Sequence, residues 1–474
     1  MSAPLRLVVS AAGTGAGKTL VASALAATFA RRGLRVRPYK IGPDYIDAYL
    51  ATLVCGRPAH NVDAWLDGDD ALRAHVEATS ADADVLLFEG MMGLYDGDDA
   101  GTTSTAHVAR LLGARTIVVL DGWSASQTLA AVALGLRAYD PELAFAGAIL
   151  NRVGGPAHER AVRDACARVG MPVLATIGYD ASLVVPERRL GLDRAAGAAR
   201  VAAVRVLAER LEGTLDFAAL GLGDAAFDAE PEGGAERRRT TRPLVAASAS
   251  PASRPVVALA EDDAFWFTYP ETRTALEAAG ARVVPFSPLA GTTLPPETRA
   301  LWLGGGYPES YAAALAANVA MRGAVRAAVV AGMPTYAECG GYLYLLDRLA
   351  TDDGDFPMAG AIRGSASSRD AALTIGYREA STGRETPLDA AGTHLRAYAY
   401  HYARPDVVAA PDVVAGSAEA GAAYRTASGD DGVAWPSGCA SFLHRHFLTG
   451  DPAIARFVAR AAAFDSTFAP TSAR

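Results

Sequence analysis

A chain of 474 residues is too long for one typical hydrophobic core and implies two or more domains, each able to bury a stable interior. Its 51% hydrophobic and 20% charged residues are those of a soluble, helix-rich globular enzyme, and a formal charge of -8 argues against a nucleic-acid partner, which would call for a basic face. Cys55, Cys166, Cys339 and Cys439 form no CxxC pair and are too few for a disulfide framework, so a reducing compartment is expected. The opening "MSAPLRLVVSAAGTG" has no charged leader before an apolar signal core, and no unbroken apolar run reaches the ~18 to 20 residues that span a bilayer, so no membrane role and a cytoplasmic location are expected.

Five apolar runs, "LRLVVSAA", "RVRPYKIG", "DVLLFEGMMG", "ARTIVVLDG" and "AFAGAILNRVG", predict buried strands in the first 220 or so residues. Helical segments separate them. In "KTLVASALAATFARRG", Val21, Ala24, Leu25, Thr28 and Phe29 share one face and Gly33 is a natural stop. Strand-helix alternation of this kind predicts a doubly wound, mostly parallel α/β sheet over residues 1–223. Residues 224–254 have a linker composition rich in Pro, Gly, Ala, Ser and mixed charge. Alternation restarts with "PVVALAED", "ARVVPFSP", "ALWLGGGYPE" and "MPTYAECGG", which predicts a second α/β domain over 255–465, followed by a frayed tail at 466–474.

The first strand runs into "GTGAGKT". Gly15 and Gly17 let backbone N–H groups wrap a phosphate, Lys18 reaches the outer phosphates of ATP, and the Thr19 hydroxyl is a magnesium ligand. Ala12 stands where the usual phosphate-loop pattern has its first glycine. Gly13 occupies the position at which partition ATPases carry a signature lysine, and the loop more closely resembles that of dethiobiotin synthetase-like ligases. In open α/β sheets ligands sit beyond the carboxyl ends of the strands. The acids that follow the next apolar runs therefore belong near the nucleotide: Asp44 and Asp47 with Lys40 and Tyr45 in "YKIGPDYID", and Glu89 and Asp96 in "FEGMMGLYDG". Phosphoryl transfer needs Mg2+ held by hard oxygens, for which Asp44 and Glu89 are the candidates.

"KIGPDYID", "EGMMGLYDG", "ILNRVG" and "PERRLGL", followed by "FSPLAGTTLP", "LGGGYPE", "AECGGYLYLL" and "SFLHRHF", resemble in order and over nearly the whole chain the cobyrinic or hydrogenobyrinic acid a,c-diamide synthase family. The resemblance implies ATP- and magnesium-dependent amidation of two corrin side-chain carboxylates through acyl phosphates. Lys18 and Thr19 would hold the triphosphate and metal, with Asp44 and Glu89 organising the metal. Lys40, Tyr45, Asp47 and Asp96 would lie near the transferred phosphoryl group and the substrate carboxylate, and Asn151 would contact the nucleotide base.

Cys339, between an apolar strand and "GGYLYLL", has the setting of a nucleophile elbow, with a thiol exposed at a helix N-terminus. Backbone N–H groups of Leu303 to Glu309 could meet the oxyanion formed on attack at an amide. The late His444 is the expected base, in the order seen in class I glutamine amidotransferases, and L-glutamine is then the nitrogen donor. His446 stands where many relatives of that class carry a glutamate, which raises the question of whether it orients His444. Ala397-Tyr398-Ala399 departs from the Gly-His-Glu type sequence common in the family, although His401 and Tyr402 remain. The expected partners are a corrinoid polycarboxylic acid and L-glutamine, with a homodimer possible. The alternatives are the same chemistry on another tetrapyrrole or other corrin side chains, and a nucleotide-switch ATPase with a degenerate glutaminase domain.

Overall fold

The structure is a computed structural model that describes residues 3–183, 194–222, 254–369, 371–407 and 412–464. The motif at 186–192, the expected linker 224–254 except Arg254, and the tail 466–474 lie outside the described residues. The chain divides into two compact units, residues 1–240 and 241–474.

The N-terminal unit is built on seven strands: β1 (Leu5–Ala11), β2 (Val36–Ile41), β3 (His60–Val62), β4 (Val85–Glu89), β5 (Arg115–Asp121), β6 (Phe145–Val153) and β7 (Val173–Gly178). They form one sheet in the order β3-β2-β4-β1-β5-β6-β7, and every pairing is parallel. The five apolar runs of the sequence are all present. The two strands it did not mark, β3 and β7, are edge strands, one of them only three residues long, which leaves little periodicity to read.

Both faces of this sheet are covered, which is why its strands read as continuous apolar runs. Leu7, Val9 and Ala11 of β1 pack with Val21, Leu25 and Phe29 of α1 (Lys18–Arg31) and with Val204, Leu207 and Leu211 of the helix Arg194–Thr214. Val8 points the other way, to Tyr39, Leu86 and Phe88. All five residues expected on the inner face of α1 are buried, and Gly33 has a left-handed φ of 80° just past the helix end. Pro38 sits inside β2, where a missing N–H would normally break a ladder. It is tolerated because β3 begins pairing only at Tyr39.

The C-terminal unit carries β8 (Val256–Ala260), β9 (Arg282–Phe286), β10 (Thr298–Leu303), β11 (Thr335–Glu338), β12 (Leu346–Thr351), β13 (Gly354–Pro357), β14 (Ile362–Ser367), β15 (Thr374–Thr382), β16 (His394–His401), β17 (Arg404–Asp406), β18 (Gly421–Thr426), β19 (Gly429–Trp435), β20 (Gly438–Ser441) and β21 (Leu443–His444). Ten of them form a mixed sheet, β21-β16-β15-β18-β19-β20-β11-β10-β8-β9, and β13-β12-β14-β17 form a smaller one. From β9 to β20 the pairings are parallel, and beyond β20 they are antiparallel. β20 and β21 are separated by Phe442 alone, yet stand five places apart in the sheet order, so the antiparallel half curls back on itself. That curl brings the ends of β11, β16 and β21 together. Trp302 meets Phe447 and Phe457 edge to face, as Tyr336 meets Phe447, and Trp302 and Tyr336 pack tilted by 45°.

Phe29 is fully buried and meets Phe217 edge-on, with ring centroids 6.3 Å apart. Phe29→Ala should therefore cost the N-terminal unit about 3–5 kcal/mol, read as a lower urea midpoint for that unit's transition with little change in the C-terminal unit.

Candidate functional site

In the N-terminal unit, the turn between β1 and α1 takes left-handed backbone at Gly15 (φ 84°) and Gly17 (φ 93°), where a side chain would be strained. Ala12 is exposed and has no such φ, so the departure from the usual glycine is tolerated. No side chain caps α1, whose first N–H groups face the loop as an anion site. The loop is braced from the ends of β5 and β6. Asn151 Nδ2 donates to Ala16 O at 2.9 Å, and a Cβ on Gly17 would stand 2.5 Å from that nitrogen. Arg152, itself at φ 56°, donates to Gly15 O at 2.9 Å and to Asp121 Oδ1 at 2.8 Å. The sequence marked "ILNRVG" without showing this bracing, because it depends on β5 and β6 being neighbours.

Beyond β2 and β4, Lys40 is buried and donates to Asp47 Oδ2 at 2.7 Å, Glu89 Oε1 at 3.2 Å and Gly90 O at 3.2 Å. Burial would lower its pKa, but the charges of Asp47, Glu89 and Asp44 outweigh that and raise it. Thr19 Oγ1 donates to the same Glu89 oxygen at 2.6 Å. Burial, and after it the Asp47 charge, push Glu89 up to about 8, and the same two causes push Asp44 up to about 6. Asp47 is held low because Lys40 overcomes the effect of its burial. Three carboxyls and a hydroxyl thus crowd one ammonium, an oxygen-rich set short of positive charge, which fits a hard divalent cation.

Lys18 donates to Gly13 O at 2.9 Å, and burial together with the Lys40 charge lowers its pKa. Asp44 also caps α2 (Tyr45–Cys55), accepting from Asp47 N at 2.8 Å. Tyr45 opens that helix half-buried. Asp96 lies outside the cluster's hydrogen bonds, accepting from Gly93 N at 2.9 Å, yet acts on Lys18 through its charge. Asn61, which the sequence reading missed, donates to Gly42 O at 2.8 Å and Asp44 O at 2.9 Å and shapes the acidic loop.

In the C-terminal unit, Cys339 has φ 49° and ψ -106° between β11 and the helix Gly340–Leu345, the strained backbone of a nucleophile elbow. The two glycines after it leave no room for side chains: a Cβ on Gly341 would stand 2.1 Å from Leu303 O, and one on Gly340 would stand 3.0 Å from Gly306 N. Cys339 N donates to Ser441 O at 2.7 Å, extending the β11–β20 ladder into the elbow. His444 follows on β21. Burial would lower its pKa, but the neighbouring Cys339 and Glu338 outweigh that and bring it up to about 10.

Two findings go beyond the sequence reading. His446 turns to Glu271, its Nε2 lying 3.6 Å from Oε2, and packs edge-on to Tyr269. Glu338, the residue before Cys339, lies beside His444, with Oε1 3.7 Å from Nδ1. The Ala397-Tyr398-Ala399 segment belongs to β16, whose Tyr398 pairs with His444. Downstream, the Cys339 thiol donates to Tyr400 O at 3.5 Å, and His401 stacks on Phe442 with centroids 4.0 Å apart. Cys339, Tyr307, Glu309, Tyr400, His401 and Tyr402 line a cavity with about 10 Å³ of free volume, room for no more than one water. Glu309 Oε2 is buried in it, and burial pushes that carboxyl up to about 7.

Residues 256–452 match the family model of CobB/CobQ-like glutamine amidotransferase domains, and residues 7–190 match that of CobQ/CobB/MinD/ParA nucleotide binding domains. The chain is 40% identical to the hydrogenobyrinate a,c-diamide synthase of Thermobifida fusca, over 96% of each chain. It is 36% identical to the cobyrinate a,c-diamide synthase of Syntrophotalea carbinolica, over 97% of this chain and 98% of that one. With the hydrogenobyrinate a,c-diamide synthase of Streptomyces coelicolor, identity is 37% over the same shares. A phosphate loop facing a carboxylate cluster, a cysteine elbow with its histidine, and similarity along nearly the full length place this chain in the cobyrinate and hydrogenobyrinate a,c-diamide synthase family.

Proposed function

We propose that the two units divide one reaction between them: Cys339 and His444 release ammonia from glutamine, and the phosphate loop with the Lys40 cluster activates the acceptor carboxylate. The overall reaction is glutamine-dependent, ATP-consuming amidation of the a and c side chains of cobyrinic or hydrogenobyrinic acid. The observation that carries the division is Cys339 at φ 49° on a strand-to-helix turn, with His444 held charged beside it.

In the C-terminal unit the Cys339 thiolate attacks the glutamine amide carbon. The N–H groups of Gly306 and Gly340 are the proposed oxyanion donors, since that of Gly305 is taken by Phe267 O at 3.0 Å. His444 gives its proton to the departing nitrogen, so C–N cleavage yields ammonia and a thioester. His444 then takes a proton from water, whose attack on the thioester releases glutamate and restores the thiolate. The α-ammonium of glutamine is matched by Glu309, a carboxyl that shares the nucleophile's cavity and is raised by burial.

In the N-terminal unit, Gly15, Gly17 and Lys18 hold the phosphates of ATP, and Thr19, Glu89 and Asp44 supply oxygens for Mg2+, which when bound neutralises charge on the phosphates. Asn151 steadies the loop under the nucleotide. Lys40 fixes Asp47 and Glu89 and, with Tyr45 and Asp96, faces the transferred phosphoryl group and the substrate carboxylate. The carboxylate oxygen bonds to the γ-phosphorus as ADP leaves; ammonia then attacks the acyl carbon, phosphate departs, and the surplus amine proton is lost to solvent. A cytoplasmic location and a homodimer complete the proposal; among the described residues no single helix is long and apolar enough to cross a membrane.

Cys339→Ala should abolish glutamine-dependent diamide formation, a fall of at least about 10³-fold, while free ammonia still supports it. Equal loss with both nitrogen sources, followed by mass spectrometry of the corrinoid product, would contradict the division. Lys40→Met should show the opposite pattern, with both nitrogen sources failing while glutamine hydrolysis persists. Glu309→Gln should raise the KM for glutamine about 10-fold or more with a smaller change in kcat, and leave ammonia-dependent rates unchanged.

A further inference from the structure

We propose that Glu338 is the positioning carboxylate of the glutaminase centre, fixing the orientation of His444 through Nδ1; the proposal rests on reading Cys339 and His444 as nucleophile and base. Spacing along the chain suggests a different group. His446 occupies the place where a carboxylate would follow the catalytic histidine, but it is engaged with Glu271. Glu338 reaches His444 from the nucleophile's own strand.

Three observations converge on it. Glu338 Oε1 is 3.7 Å from His444 Nδ1, and the two side chains are 4% and 0% exposed. The other carboxylate oxygen accepts from Tyr336 Oη at 2.8 Å, which pins the group from two residues earlier on the same face of β11. A buried carboxylate is costly without a cationic or hydrogen-bonding partner, and among the ion pairs of the described residues the cation at Glu338 is His444. Burial lowers the pKa of His444, and Cys339, then Glu338, raise it past that effect.

The backbone explains how adjacent residues serve the two sides of one ring. In a continued strand, the side chains of Glu338 and Cys339 would point to opposite faces. The positive-φ turn at Cys339 breaks that alternation, so the two side chains need not diverge, and the carboxylate lies on the Nδ1 side of the ring. With Nδ1–H directed at Glu338, the charged imidazole keeps its Nε2–H as the proton given to the departing nitrogen. Other titratable groups that interact with His444 include His401 of β16 and Asp431 of β19. His401 Nδ1 is bonded to Ala403 O at 2.9 Å, and Asp431 Oδ1 accepts from Phe442 N at 2.9 Å, so an Asp431→Asn variant separates that carboxyl's charge from the role of Glu338.

The test uses the full chain and three readouts: steady-state kinetics with glutamine, amidation driven by ammonia, and the pH dependence of Cys339 alkylation by iodoacetamide. Glu338→Gln should lower the glutamine kcat by roughly 10²–10⁴-fold with KM within about threefold. Ammonia-driven amidation should stay at the wild-type rate, and the alkylation midpoint should move to higher pH. Glu338→Asp should recover part of both effects, and Asp431→Asn should not move the alkylation midpoint. A Glu338→Gln enzyme with wild-type glutamine kinetics and an unchanged alkylation profile overturns the proposal. If that variant also loses ammonia-driven amidation, Tyr336→Phe decides: a partial fall in glutamine kcat with a shifted alkylation midpoint supports the role, and wild-type behaviour overturns it. Glutamine-dependent activity surviving in Cys339→Ala would instead show that the reading of the centre itself has failed.

Discussion

The parallel pairing of β11 with β20 is the constraint from which the glutaminase centre follows. It aligns Glu338 with Ser441, and the Cys339 N–H to Ser441 O bond carries the ladder one residue past the strand. His444 lies three residues beyond Ser441, so a single register fixes the places of Cys339 and His444 together. A slip of one residue would send Glu338 and Cys339 to the wrong faces. The close approaches at Gly340 and Gly341 then lock the turn, because no side chain fits between it and the end of β10.

The N-terminal unit solves a different problem, keeping several like charges in a small buried volume. Lys40 carries the burden, with two carboxylates and a carbonyl within hydrogen-bond distance. Removing it would leave Asp47 and Glu89 facing each other without a cation, a costlier arrangement than never having buried them. The raised pKa of Glu89 records its burial first and the neighbouring Asp47 charge second, which Lys40 offsets only in part. Thr19 ties the cluster to the phosphate loop through its bond to Glu89.

Legibility in the sequence followed the range of the interactions. The five apolar runs and the inner face of α1 were readable because burial on both sheet faces leaves a continuous local signature. The phosphate loop and the cysteine elbow were readable because each needs glycine at set offsets from a reactive residue. The supports of those motifs were not. Asn151 and Arg152 brace the loop across 135 and 137 positions, and Glu338 meets His444 across more than a hundred. His446 attracted attention through spacing alone, and the curl of β21 toward β16 turns it elsewhere. The antiparallel half of the second sheet leaves a weaker signature, since strands such as Thr374–Thr382 and Gly429–Trp435 mix polar and small residues with few apolar ones.

The bond from the Cys339 thiol to Tyr400 O ties the elbow to the antiparallel half of the sheet. Cys339 follows β11 and Tyr400 belongs to β16, strands that stand five places apart in the sheet order. A substitution along β16 that moves Tyr400 is therefore felt at the sulfur, although the two residues lie 61 positions apart in the chain.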